Sequence, residues 1–406
     1  MMEIQQPDVS YSDRTVAGAY DPEPTAVPLF IGYTEKGATY VPIAVNSYDD
    51  YTTAFGGNST SDSVLSYAVQ HYFDNGGQGG FVLSLGDYSV LATITPSDLI
   101  TAFSDVRIRQ AVQQELTITL AAIPDTVLLA DTDTANWAQA WNALLEICRS
   151  RDGVFGLFDC PDAPTNATTC LESFLALTPD HPEWGAAYWP RLVSNYRDAN
   201  QTPIVLPPSA AIAGAMTTTD RQYGTWRAPA NVPLANVIKP TQSWLASDGL
   251  FQQNGASLNL IRSFVGRGIR IWGCRTLIAD TASPWVYVQV RRLVAYVETQ
   301  VSEIGQHFVF EPNNALTWIR FRGLVHIFLR ELWMDGGLYG AEETDAFYVQ
   351  IGLDESMTQD DIDQGRMIMK IGLAVAYPAE FIDVSVTFNA GVSVMPTDAG
   401  VDEEWT

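Results

Sequence analysis

From Ser283 to Phe388 the hydrophobic pattern changes period at well-marked points. Val286, Val288 and Val290 alternate with Trp285, Tyr287 and Gln289, the period of two that predicts a strand. Leu293, Val294, Val297 and Val301 then recur at helical spacing, so the strand is expected to run into a helix. After Phe310-Glu311-Pro312-Asn313-Asn314, a second helical pattern uses Leu316, Ile319, Leu324, Ile327, Phe328 and Leu332. It is expected to stop at Gly336-Gly337, because glycine takes the left-handed C-cap conformation most easily. Phe347, Val349 and Ile351 alternate as a strand, and Thr358 stands three residues before Asp361, as in the cap of a short helix ending at Gly365. Met367 to Val375 and Ile382 to Phe388 alternate again, separated by Pro378, which cannot donate to a ladder. These elements predict a compact α+β unit.

The preceding chain has a different rhythm. Val27 to Ile31 and Val41 to Val45 read as strands, Ser63 to Phe73 as a helix, and Phe81 to Leu85 as a buried strand. Between them Gly76-Gly77-Gln78-Gly79-Gly80 follows a helix and precedes a strand. A phosphate cradle needs the opposite order, so this is expected to be a connection only. Leu116 to Ala121 (strand), Thr134 to Ser150 (helix), Gly153 to Phe158 (strand), Ala167 to Leu177 (helix), Ala186 to Tyr188 (short strand) and Ile204 to Leu206 predict a layered α/β unit of βαβ type. Its strand ends carry Asp125 and Asp159, where a doubly wound enzyme keeps catalytic groups. Neither has a nucleophile elbow, Walker lysine or H-E-x-x-H partner, and carboxylates after strands are common turn and cap formers. A hydrolase-like enzyme using these carboxylates is the alternative reading.

The short motifs carry a resemblance. Trp285-x-Tyr-x-x-Val290-Arg291-Arg292-Leu293, Phe310-Glu311-Pro312-Asn313, Gly336-Gly337-Leu338-x-Gly340, Met357-Thr358-Gln359-Asp360 and Pro378-Ala379-Glu380-Phe381-Ile382 together resemble the conserved domain of contractile tail sheath proteins. Arg267-Gly268-Ile269-x-Ile271-Trp272-Gly273-x-Arg275-Thr276 and Ala228-Pro229-Ala230-Asn231 fit the same family, including sheaths of extracellular injection particles of the antifeeding-prophage type. The resemblance implies a tail-sheath fold: an N-terminal arm (1–20), a segment packing with the C-terminal part (21–94), a layered α/β domain (95–230), a conserved C-terminal α+β domain (231–388) and an extension (389–406). It implies a structural subunit and no enzyme. That subunit polymerises helically in stacked hexameric rings around an inner tube and contracts to drive the tube through a target envelope. Implied partners are further copies, the tube, baseplate and terminator proteins, and paralogous sheath subunits. The implied setting is assembly in the bacterial cytoplasm into a phage tail or a released tail-like particle. Val9, Tyr11 and Val16 in the arm, and Ile382, Val384, Val386 and Phe388 in the last strand, are expected to be lent between subunits.

Composition sharpens this picture. The formal charge is −25 over 406 residues, which disfavours nucleic acid and anionic membranes as partners. No apolar run approaches the roughly 20 residues of a membrane helix, and the first residues lack a signal pattern. Cys148, Cys160, Cys170 and Cys274 lack zinc-site spacing, so no metal or cofactor is expected. Against this acidic background Arg262, Arg267, Arg270, Arg275, Arg291 and Arg292 fall in one window, followed by Arg320 and Arg322. Two readings stand side by side: internal pairing with carboxylates such as Glu298 or Glu311, and a surface facing neighbouring subunits or the tube.

Overall fold

The computed structural model describes residues 25–380, apart from 58–62, 92, 199, 248, 253 and 379. The arm and terminal-strand residues Val9, Tyr11, Val16, Ile382, Val384, Val386 and Phe388 lie outside the described residues.

The first part of the chain builds one large sheet. Its strands are β1 (Pro28–Thr34), β2 (Pro42–Val45), β3 (Gly80–Asp87), β4 (Leu120–Ala122), β5 (Phe155–Asp159) and β6 (Gly185–Trp189). A three-stranded side sheet contains β7 (Leu192–Arg197), β8 (Pro203–Leu206) and β9 (Val237–Pro240), and the large sheet is completed by β10 (Asn259–Phe264) and β11 (Gly268–Trp272). The order across the eight-stranded sheet is β11-β10-β6-β5-β4-β1-β3-β2. From β3 to β10 neighbouring strands are parallel, and the edge strands β2 and β11 are antiparallel to their neighbours. The inner order β3-β1-β4-β5-β6 is that of a doubly wound sheet. β1 is buried at every position, which suits its unbroken apolar run PLFIGY, since central parallel strands meet helices on both faces.

Those helices are α1 (Tyr48–Phe55), α2 (Leu65–Asp74), α3 (Pro96–Phe103), α4 (Val106–Gln114), α5 (Thr134–Cys148), α6 (Pro164–Ala176) and α7 (Ser209–Tyr223). On one face Leu29, Ile31 and Ile123 pack with Phe103, Trp137, Trp141 and Phe174. On the other, Phe30, Val82, Leu157 and Tyr188 pack with α2 and α7. α7 is rich in alanine, and its backbone approaches α2 so closely that a Cβ on Gly214 would lie 2.5 Å from the Tyr72 carbonyl oxygen. Glycine is the side chain that fits there.

The segments expected as 21–94 and 95–230 share this sheet, and β10 and β11 add residues from beyond 231. Hydrophobic runs announce parallel strands but not which strands become neighbours.

The remainder is a smaller unit: α8 (Val288–Gln306), α9 (Ala315–Met334), α10 (Glu343–Ala346), β12 (Phe347–Gln350), α11 (Gln359–Asp363) and β13 (Lys370–Leu373). Its core gathers Leu293, Val297, Ile304, Phe321, Val325, Leu329, Phe347 and Met357. β12 and β13 form a two-stranded antiparallel sheet. The strand expected from Trp285 to Val290 is absent. Ser283 accepts a hydrogen bond from the Trp285 backbone N–H, Pro284 opens a single 3-10 turn, and α8 has begun by Val288. Valine and tyrosine favour strands only weakly, and burying Val288, Val290 and Leu293 from one helix overrides that preference. The overall architecture is α/β followed by α+β. Among the described residues no helix is long and apolar enough to cross a membrane.

Candidate assembly interface

The crevice above the switch in strand order, where doubly wound enzymes bind ligands, lies here at the carboxyl ends of β1 and β4. It is filled by the protein itself. The Asp125 carboxylate accepts from the Tyr33 backbone N–H (2.7 Å), the Ser63 hydroxyl (3.0 Å) and the Val64 backbone N–H (3.0 Å). A Cβ on Gly32 would lie 2.4 Å from its Oδ2, so the carboxylate sits directly on the strand. Asp159, at the end of β5, accepts from the backbone N–H and hydroxyl of Ser209 (2.9 and 2.6 Å) at the start of α7. Burial pushes the two carboxyls up to about 6 and about 7 respectively. Both are wholly occupied in joining strand ends to the chain beside them. Among the described residues no three His, Cys, Asp or Glu side chains gather as a metal site, and all four cysteines are buried free thiols.

The arginine window divides into two populations. Arg275, Arg291 and Arg292 are buried. Arg275 donates from Nε to both carboxylate oxygens of Glu380 (3.0 and 3.1 Å) and from Nη1 to the Gln252 carbonyl (2.6 Å). Arg292 forks onto Asp220 (2.6 and 3.1 Å) and also holds the Thr25 carbonyl (2.8 Å), while the Thr25 hydroxyl donates to Asp220. Arg291 lies over the rings of Trp184 (3.6 Å) and Trp285 (4.7 Å), beside Glu298 at 3.4 Å. It forms part of the wall of a cavity of about 1050 Å³ between α8 and the large sheet. These three side chains serve as internal joints, and Arg292 in particular ties α8 to α7 and to the start of β1.

Arg262, Arg267 and Arg270 lie instead on the β10–β11 hairpin, and Arg267 is exposed there. Arg320 and Arg322 are exposed on α9, Arg320 at 3.7 Å from Glu311.

α9 is apolar on two sides. Thr317, Phe321, Val325, Leu329 and Leu332 face the core. Leu316, Ile319, Leu324, Ile327 and Met334 are exposed, interspersed with Arg320, Arg322 and Arg330. Arg320 and Arg330 pair with Glu311 and Glu343, so what sets this outer face apart is its apolar surface, which marks a place for a partner. Sequence reasoning did not separate the two sides of this helix, and it missed Asp220, Glu380 and Asn231 as arginine partners because they are remote in the chain. β12–β13 is equally unfinished. Among the described residues no third strand pairs with either of its edges, and two strands alone are marginal.

Comparison with known proteins bears on these surfaces. The phage tail sheath C-terminal domain matches residues 280–389. The tail sheath protein of Enterobacteria phage T4 is 27% identical over 305 residues, which are 72% of this chain and 45% of that protein. The chain therefore spans about half the length of that relative. A chain in the contracted baseplate of the anti-feeding prophage is 39% identical with a TM-score of 0.83, covering 96% of this chain and 100% of that one. A chain in the contracted PVC sheath complex, an extracellular contractile injection system, is 30% identical with a TM-score of 0.69, covering 96% and 99%.

Proposed function

Since this chain belongs to the contractile tail sheath family, a family of structural proteins rather than enzymes, we propose that it is the subunit of a sheath. Copies polymerise helically around an inner tube, and the polymer shortens to drive the tube through a target envelope. The setting is a phage tail or tail-like particle, put together in the bacterial cytoplasm and, for an injection particle, released from the cell. The observation that carries this reading is the unfinished β12–β13 sheet in a unit whose longest helix displays an apolar outer face.

A sheet of two strands gains stability when further strands add to its edges, and main-chain hydrogen bonds make such additions tolerant of sequence. The segments around Val9, Tyr11 and Val16 and around Ile382, Val384, Val386 and Phe388 alternate as strands and are the donors in this reading. A contact of this kind is head-to-tail, and when its rotation does not close it builds a helix. The outer face of α9, with Arg320 and Arg322, meets a neighbouring subunit or the tube. The extended polymer is a kinetically trapped state, and interface formed on shortening supplies the work. Baseplate, terminator and paralogous sheath proteins complete the particle.

Deletion of residues 1–20 tests the strand-lending step. Electron microscopy of the truncated chain co-expressed with its tube should show no ordered extended sheath, and normal sheaths from that chain would refute the arm's role.

A further inference from the structure

One strand pair carries an arrangement that ladders ordinarily avoid. In β10–β11, Arg262 lies directly opposite Arg270, and like charges set across from each other destabilise a sheet. The alternation of side chains puts Trp272, the two arginines and Phe264 on one face, while Ile261, Ile269 and Ile271 turn into the core beside α7. Arg267 follows at the turn, next to the fully exposed Val265.

The outward face is built around rings. Phe264 and Trp272 have centroids 4.6 Å apart. The Arg262 guanidinium lies 5.4 Å from the first ring and 6.0 Å from the second, and Arg267 lies 5.9 Å from Phe264. Arg267 donates to Asn231 Oδ1 (3.1 Å), and Arg270 donates to the carbonyls of Asn231 (2.6 Å) and Arg267 (3.1 Å). Among the described residues neither Arg267 nor Arg270 has a carboxylate at ion-pair distance, in contrast to Arg275, Arg291 and Arg292. Positive charge is therefore left unneutralised on a chain of net charge −25.

The complementary feature lies in the C-terminal unit. Asp354, Glu355, Asp360 and Asp363 are exposed, and the stretch from 354 to 363 holds no lysine or arginine. Its fifth acid, Asp361, is already occupied by Thr358 and Arg366. We propose that the outward face of the β10–β11 hairpin docks a second copy of this chain, which presents these four carboxylates to Arg267 and Arg270. Arginine and tryptophan together form the energetic centre of many protein contacts, and the paired charges set register between subunits. Because the two patches differ, the contact is head-to-tail and propagates. The inference rests on the sheath reading and names one of its contacts.

The test uses three full-length variants: Arg267→Glu with Arg270→Glu, Asp360→Arg with Asp363→Arg, and the fourfold charge swap. Circular dichroism first establishes that each is folded like the wild type. Pelleting and electron microscopy should then show that each double variant needs at least tenfold more protein to polymerise. The fourfold variant should recover most of the loss. As a direct measurement, chains carrying Arg267→Cys mixed with chains carrying Asp360→Cys should form interchain disulfides under oxidation. Double variants that polymerise normally would overturn the contact, and so would a fourfold variant that is not rescued together with no cross-link. Failure of the wild-type chain to polymerise at all would count against the sheath reading instead.

Discussion

The large sheet and the two-stranded sheet solve the same problem in opposite ways. In the eight-stranded sheet, the central parallel strands are covered by helices on both faces and the Asp125 and Asp159 carboxylates occupy the strand ends. The outer edge of β11 is covered too, because Asn231 and Leu234 donate to Ile271 and Ile269, and Ile271 donates to Val232. The β12–β13 sheet packs one face on α9, and the Tyr339 N–H reaches the Ala374 carbonyl just past β13. Among the described residues, however, no third strand pairs with it, and α9 keeps apolar side chains on its outer side. Except on the outward face of β10–β11, the first region is complete within the subunit, whereas the second is left to be completed by something else. Stability and assembly are thereby assigned to different parts of one chain, so substitutions can separate them.

The sharpest break is expected in the first region. Trp141 is buried between Phe158 and Phe174, and its indole N–H donates to the Asp159 carbonyl. Trp141→Ala should cost about 3–5 kcal/mol of stability, read from chemical denaturation, with assembly lost only because the fold is lost. Ile327→Asp on the outer side of α9 should do the reverse. It should leave the denaturation midpoint nearly unchanged, since surface substitutions stay within about ±0.5 kcal/mol, yet abolish sheath formation seen by electron microscopy. Asn314→Ala is smaller. Asn314 caps α9 by accepting from the backbone N–H groups of Leu316 and Thr317, and its loss should cost about 1 kcal/mol, visible as faster hydrogen exchange in the first turn.

A further test concerns pH. Burial favours the neutral form of Asp159, raising it to about 7. Its contribution to stability is therefore complete below the unfolded value of about 3.9 and is lost as pH rises through 7. Asp159→Asn should flatten the fall in urea midpoint between pH 5 and 8. A variant as steep as the wild type would show that the carboxylate is already charged when folded.

Much of this division was legible in the sequence, but not the facing of its elements. The run from Leu316 to Leu332, stopped by Gly336-Gly337, identified α9 correctly. Of the residues that marked it, however, Leu316, Ile319, Leu324 and Ile327 face outward. A helix apolar on both sides has a clear period and no clear core face, so periodicity alone could not tell packing from display. α7 gave almost no signal, because its alanines and threonines lack a hydrophobic stripe even though it is among the most deeply buried helices. The motifs around Arg275 and Arg292 pointed to the family, but their carboxylate partners lie 105 and 72 positions away. Only the folded chain brings them together.

Thr25 has a mechanical corollary. At Thr25, α7, α8 and the approach to β1 are tied together by Asp220 and Arg292. β1 then runs between two parallel neighbours, β3 and β4. Tension applied at Thr25 would thus load both flanking ladders in shear along their length rather than peel them one bond at a time. A tether fastened to a central strand in this way can transmit a pull through the whole layer without first undoing it.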